Sequence, residues 1–153
     1  MSQEEKFMQV ALELANKAYK KDEVPVGAII VKNQKIIAKA FNKREKQHDA
    51  TAHAEILCIK KACRKIKDFR LNDCEMYVTL EPCFMCMGAI LNARIKKLYF
   101  GASNNKEGVI TTKEIIERAE LNHRCEVNGG MLAEECGRLV SDYFKSKRKE
   151  KKL

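Results

Sequence analysis

One imidazole, one carboxylate and two thiols stand out at spacings that suit metal chemistry. His53-Ala54-Glu55 and Pro82-Cys83-Phe84-Met85-Cys86 lie one strand–helix unit apart. His53, Cys83 and Cys86 make three ligands, one fewer than the four that close a structural zinc tetrahedron. An open fourth position suits a catalytic ion with a bound water, whose pKa falls toward neutrality on the metal. Glu55, two residues from the imidazole, is placed to carry that water's proton rather than to bind the ion. One Zn2+ per chain is the expected cofactor.

Each assignment competes with a plainer one. A C-x-x-C pair also serves thiol redox chemistry, but here neither Trp nor Gly-Pro surrounds it, and a His-x-Glu lies upstream. A lone histidine is usually a satisfied polar group, which is the expectation for His48 and His123. Cys58, Cys63, Cys74, Cys125 and Cys136 lack ligand spacing and are expected as small core hydrophobes.

The elements that must hold these residues follow from hydrophobic periodicity. Phe7, Val10, Ala11, Leu14, Ala15 and Ala18 recur at helical spacing over residues 4–20. Val24–Val31 and Ile36–Phe41, separated by the turn Lys32-Asn33-Gln34-Lys35, predict a hairpin. A second helix is expected from Thr51, as N-cap, through Ala62, and a third strand over Met76–Leu80. Pro82 is expected at the first position of a third helix that runs to about Asn92. A strand over Lys97–Gly101, a short helix over Thr112–Ala119 and a short strand over Arg124–Val127 come next. The last helix is expected from near Met131, fraying into the basic run Lys145–Lys152.

Strands that alternate with helices after an opening hairpin predict an α/β fold, a three-layer α/β/α sandwich around a mixed five-stranded sheet. In such sheets, sites gather where strands end and helices begin. Without a linker or internal repeat, residues 1–153 are expected to form a single domain with a basic C-terminal helix. Seven cysteines in no disulfide framework, a polar acidic N-terminus and the lack of a membrane-length apolar run point to the cytoplasm. A net charge of +9 suits a phosphate-rich partner.

H-x-E…P-C-x-x-C is the established signature of zinc-dependent base deaminases. Beyond it, EVPVGA (23–28), HDATAHAEI (48–56), YVTLEPCFMCMGAI (77–90), FGA (100–102) and NHR (122–124) resemble the bacterial tRNA-specific adenosine deaminases of the cytidine deaminase-like superfamily. The resemblance spans roughly residues 5–150. It implies deamination of adenosine to inosine at the wobble position of a tRNA anticodon, and a homodimer in which each anticodon loop meets both subunits. It also implies that Asn42 hydrogen-bonds the flipped adenine and that Asn122 contacts neighbouring nucleotides. The plainer reading of Asn42 is a strand-end turn residue, and the resemblance favours the substrate contact over it. The first helical backbone positions, such as Ala54, are candidates to hold the base's other edge. Two positions depart from the family pattern. Lys43-Arg44 stands where a proline usually follows Asn42, and Asn104 replaces the usual aspartate of the loop after the fourth strand. Lys43, Arg44, Lys145, Lys147 and Arg148 are candidate phosphate contacts.

A small-molecule deaminase of guanine or cytosine type would share the zinc site, but it needs no phosphate-binding surface. A silent zinc subunit that only presents tRNA would not need Glu55. A purely structural zinc module would carry four protein ligands.

Overall fold

The computed structural model describes residues 1–104 and 123–152. The expected Thr112–Ala119 helix and Asn122 lie outside the described residues. The elements in chain order are α1 (Gln3–Lys20), β1 (Gly27–Lys32), β2 (Lys35–Phe41), α2 (Arg44–Gln47), α3 (Ala54–Ile66), β3 (Cys74–Leu80), α4 (Phe84–Asn92), β4 (Lys97–Ala102), β5 (Glu126–Asn128) and α5 (Ala133–Lys152).

The strands form one five-stranded sheet in the order β2-β1-β3-β4-β5. β1 runs antiparallel to both β2 and β3, whereas β3, β4 and β5 are mutually parallel, so the sheet is mixed as expected. Asn33 and Gln34 both have positive φ, 51° and 63°, which closes the β1–β2 hairpin in two residues.

Side-chain alternation sorts the layers. Ala28 and Ile30 of β1, Met76 and Val78 of β3, and Leu98 and Phe100 of β4 pack with Ala54, Cys58 and Ala62 of α3 and Met87 and Ile90 of α4. Ile29, Val31 and Tyr77 face the other way, onto Phe7, Met8, Ala11 and Leu14 of α1. Gly27 fixes that second contact. A Cβ there would collide with the Ala11 carbonyl oxygen and lie 2.6 Å from the Ala15 nitrogen, so α1 rests its backbone on the strand. α5 covers β4 on the same side, with Cys136 against Gly101. Helices thus lie on both faces, and the sandwich is observed.

Three local expectations change. The helix expected from Thr51 is α3, which begins at Ala54 with His53 as N-cap, and the Thr51 hydroxyl donates to Asp49 Oδ1 instead (2.7 Å). Pro82 precedes the N-cap Cys83 rather than opening α4. α5 does not fray at Lys145 but remains helical to Lys152. Tyr143 Oη donates to the Asp22 carbonyl (3.2 Å) and Lys147 Nζ to Asp22 Oδ2 (2.7 Å), which ties the basic segment to the end of α1. The short α2 has no apolar periodicity and was not anticipated.

Candidate metal and substrate site

The start of β1, the ends of β2, β3 and β4, and the N-termini of α3 and α4 meet at one end of the sheet. Because β1 is antiparallel to β3, pairing Ala28 with Val78, the residues before β1 reach the same end as those after β3. Between them opens a cleft of about 640 Å³, lined by Val24, Asn42, Arg44, His53, Ala54, Glu55, Glu81, Cys83, Asn104 and Arg148 among others. That volume lies within the range of small-ligand sites.

His53 and Cys83 are themselves the N-cap residues of α3 and α4, and neither side chain caps its helix. Positions that Ser, Thr, Asp or Asn usually occupy are therefore given to ligands. His53 Nδ1 lies 3.5 Å from Cys86 Sγ and 3.8 Å from Cys83 Sγ. All three ligand atoms lie within 4.8 Å of one another. Ordinary zinc–sulfur and zinc–nitrogen bond lengths place tetrahedral N···S edges at about 3.6 Å, so the triangle fits that ion. Among the described residues this is the group of such donors close enough to hold a metal.

The charges support the same conclusion. A hydrogen bond from Cys86, joined by one with His53, pulls the Cys83 thiol down to about 3. The neighbouring Cys83 sulfur and burial push Cys86 upward. The partnership with Cys83 raises His53. The two sulfurs thus shift in opposite directions, and a divalent ion bound by both would stabilise the second thiolate as well as the first. The two helix N-termini add partial positive charge on the same spot.

Glu55, in the first turn of α3, is 4% exposed. Burial pushes its carboxyl up to about 7, against the lowering effects of its own backbone N–H and the imidazole. A group that exchanges its proton near neutrality suits general acid–base work.

Asn42 is buried in the cleft wall. Its carboxamide also performs the strand-end role, with Oδ1 accepting from the Arg44 N–H (3.2 Å) and Nδ2 donating to the Val24 carbonyl (3.3 Å). One N–H and one lone pair of the amide remain for a ligand. Ala54 offers backbone from the first turn of α3, where N–H groups lack intrahelical acceptors. Asn104 lines the cleft, and its backbone N–H donates to Glu81 Oε1 (2.9 Å).

Of the five candidate phosphate contacts, Arg44 and Arg148 edge the cleft. Lys43 sits 5.1 Å above the Phe41 ring beside a neighbouring basic groove of about 850 Å³. Lys145 is exposed on α5. Lys147 is engaged by Asp22 and Glu150. His123 Nε2 lies 2.7 Å from the Ile95 carbonyl oxygen, a satisfied polar group, while the His48 side chain is exposed. Cys58, Cys74, Cys125 and Cys136 are buried, and Cys63 is half-buried.

Residues 1–148 match the MafB19-like deaminase family. The chain is 46% identical to the tRNA-specific adenosine deaminase of Haemophilus influenzae over 98% of its length and 88% of that protein. It is 48% identical to the Aquifex aeolicus tRNA-specific adenosine deaminase, covering 94% of this chain and 95% of that one. The chain belongs to the tRNA-specific adenosine deaminase family. A solved structure from work on A-to-I editing by tRNA:A34 deaminases at the wobble position superposes with a TM-score of 0.83 at 39% identity, over 87% of this chain and 97% of that one. A structure of a variant of the protein NE0047 with 8-azaguanine shares the fold alone, with a TM-score of 0.80 at 23% identity over 91% and 82% of the two chains.

The fold thus gathers the residues of both motifs, His53, Glu55, Cys83 and Cys86, at one end of the sheet beside the cleft. Glu81 was missed by sequence reasoning although it stands inside the TLEPC block. Its signal was a carboxylate between an apolar strand and the Pro-Cys of the ligand turn. It is 4% exposed, and burial pushes its carboxyl upward.

Proposed function

We propose that the chain is a zinc-dependent hydrolase that deaminates adenosine to inosine at the wobble position of a tRNA anticodon. The observation that carries this reading is the open three-ligand triangle with buried Glu55 beside it in a cleft large enough for a nucleoside. His53, Cys83 and Cys86 would hold one zinc, and when bound it supplies a water acidified toward neutrality. Glu55 would take a proton from the attacking water and give it to N1 of the adenine, which makes C6 electrophilic. The water oxygen adds at C6. Glu55 then takes the second proton from the added oxygen and delivers it to the amino group; the C6–N bond breaks, ammonia leaves and the oxygen becomes the carbonyl of inosine, so one water is consumed. Asn42 and the Ala54 backbone would hold the base, which must first leave its stack.

A polyanionic substrate accounts for Arg44 and Arg148 at the cleft edge, which a free base would not need. Asn122 remains a candidate for the nucleotides beside the flipped base. We further propose a homodimer, supported by apolar side chains left exposed at the start of α4, Phe84 at 51% and Met85 at 37%. A sedimentation mass near 17.5 kDa at micromolar concentration would refute it. The reading places the protein in the cytoplasm, consistent with seven free thiols. No helix among the described residues is long and apolar enough to cross a membrane.

The deciding experiment is incubation with total tRNA followed by inosine mapping. Inosine confined to an anticodon wobble position is the expected result. Absence of inosine, with deamination of free guanine or cytosine instead, would overturn the reading in favour of a small-molecule enzyme.

A further inference from the structure

Glu81 occupies the peptide junction between the end of β3 and the metal-binding turn, two residues before Cys83. Its backbone N–H donates to the Ala102 carbonyl (2.9 Å), which continues the β3–β4 pairing past the end of the strand. Its side chain turns the same way, and Oε1 accepts the Asn104 N–H at 2.9 Å. One residue thus grips the chain leaving β4 twice, at Ala102 and at Asn104. Both Glu81 and Asn104 line the cleft with His53, Glu55 and Cys83.

The carboxyl is held through Oε1, while Oε2 is buried and has no hydrogen-bond partner among the described residues. Glutamate does offer reach, since its extra methylene over aspartate carries an acceptor from the β3 end across to the β4 loop.

We infer that Glu81 is a positioning residue for substrate recognition, setting the loop that carries Asn104 against the turn that carries Cys83. It touches neither the substrate nor the ion. It couples the place where the nucleotide is held to the place where it reacts, and it rests on the tRNA deaminase reading above. Loss of the grip leaves the zinc ligands in place but removes the contact that sets Asn104 against the turn, so binding suffers more than chemistry.

The test uses the full chain and an anticodon stem-loop RNA. Zinc content, KM and kcat are measured for Glu81→Ala, Glu81→Gln, Glu81→Asp, Asn104→Ala and the Glu81→Ala/Asn104→Ala double variant. The expected result for Glu81→Ala is full zinc, a KM raised about tenfold and a kcat changed less than about threefold. Glu81→Gln keeps an acceptor oxygen of the same reach and restores KM to within about twofold. Glu81→Asp keeps the charge but falls short, and behaves like Glu81→Ala. In the Asn104→Ala background the effect of Glu81→Ala should shrink to about twofold, the non-additivity expected of residues acting as a unit.

Additive effects, or loss of zinc in Glu81→Ala, would overturn the assignment. If Glu81→Ala does not fold, the Asp and Gln pair decides, and equal KM values for the two would overturn it. Wild-type enzyme that makes no inosine on the stem-loop would overturn the functional reading and this assignment together. An active wild type with additive variants would overturn the assignment alone.

Discussion

Cys86 Sγ lies 3.5 Å from His53 Nδ1, across a gap between two helices whose first turns converge on one end of the sheet. The contact brings together residues 33 apart in sequence, and it fixes which imidazole nitrogen faces the metal site. Cys83→Ala and Cys86→Ala should therefore each lose zinc and activity together, as measured by elemental analysis and inosine formation. Wild-type protein should carry about one zinc per chain. Full occupancy in both variants would remove the cysteines from the ligand set.

Glu55 gives a prediction in pH. Its carboxyl is raised from 4.5 to about 7, chiefly by burial. In the chelator-treated protein below pH 4.5, the group is protonated in both folded and unfolded states and costs nothing. As pH rises toward 7 the unfolded chain releases its proton while the folded one does not, so stability falls, then levels off above about 7. Glu55→Gln removes this loss. It should be more stable than wild type at about pH 8, by up to about 3 kcal/mol, with the gain vanishing near pH 4. Calorimetric Tm values at both pH values check this, and a gain of equal size at each would show that ionisation is not the cause. The zinc-loaded variant should bind RNA yet lose turnover by about 10²–10⁴-fold.

The residues that make this site were readable because their partners are local. His53 and Glu55 are two apart and Cys83 and Cys86 three apart, and each pair sits at the start of a helix, so spacing alone brings each pair together. The strands were readable from apolar runs, and Gly27 had to be glycine because α1 rests on it. What was not readable depends on distant partners. Thr51 looks like an N-cap, but its hydroxyl is taken by Asp49, and His53 caps the helix with its side chain turned to the cysteines. The basic end of α5 looks like a fraying tail, but Asp22, 125 residues earlier, holds Lys147. Glu81 shows its role only through Asn104, 23 residues on.

Phosphate binding should separate the basic residues by their pairing. Arg44 and Arg148 edge the cleft, whereas Lys147 is held by Asp22 and Glu150. Removing one cation that pairs with a phosphate should reduce the slope of log K against log salt by about 0.7–0.9. Arg148→Ala and Arg44→Ala should each show a drop of that size in stem-loop binding. Lys147→Ala should leave the slope unchanged while loosening α5, seen as a lower Tm. A slope reduced by Lys147→Ala but not by Arg148→Ala would mean that the RNA runs along the other side of the helix.

Asn104 lines the cleft beside Glu81, at the position where the resemblance read from the sequence implies an aspartate. An ionised aspartate only accepts hydrogen bonds, which suits the donating 2′-hydroxyl of a ribose. Opposite deoxyribose it meets no donor and repels nearby phosphates. Asparagine is neutral, and its amide both donates and accepts, so it loses less when the hydroxyl is absent. A hydrogen bond to a charged group contributes roughly 1.5–3 kcal/mol, which corresponds to about tenfold or more in discrimination. Asn104→Asp should therefore raise the RNA-to-DNA ratio of kcat/KM on matched stem-loops, by about tenfold. The neighbouring Glu81 bonds the Asn104 backbone rather than its side chain, so the substitution leaves that grip in place. A ratio that stays level or falls would mean that the side chain at position 104 does not face the sugar.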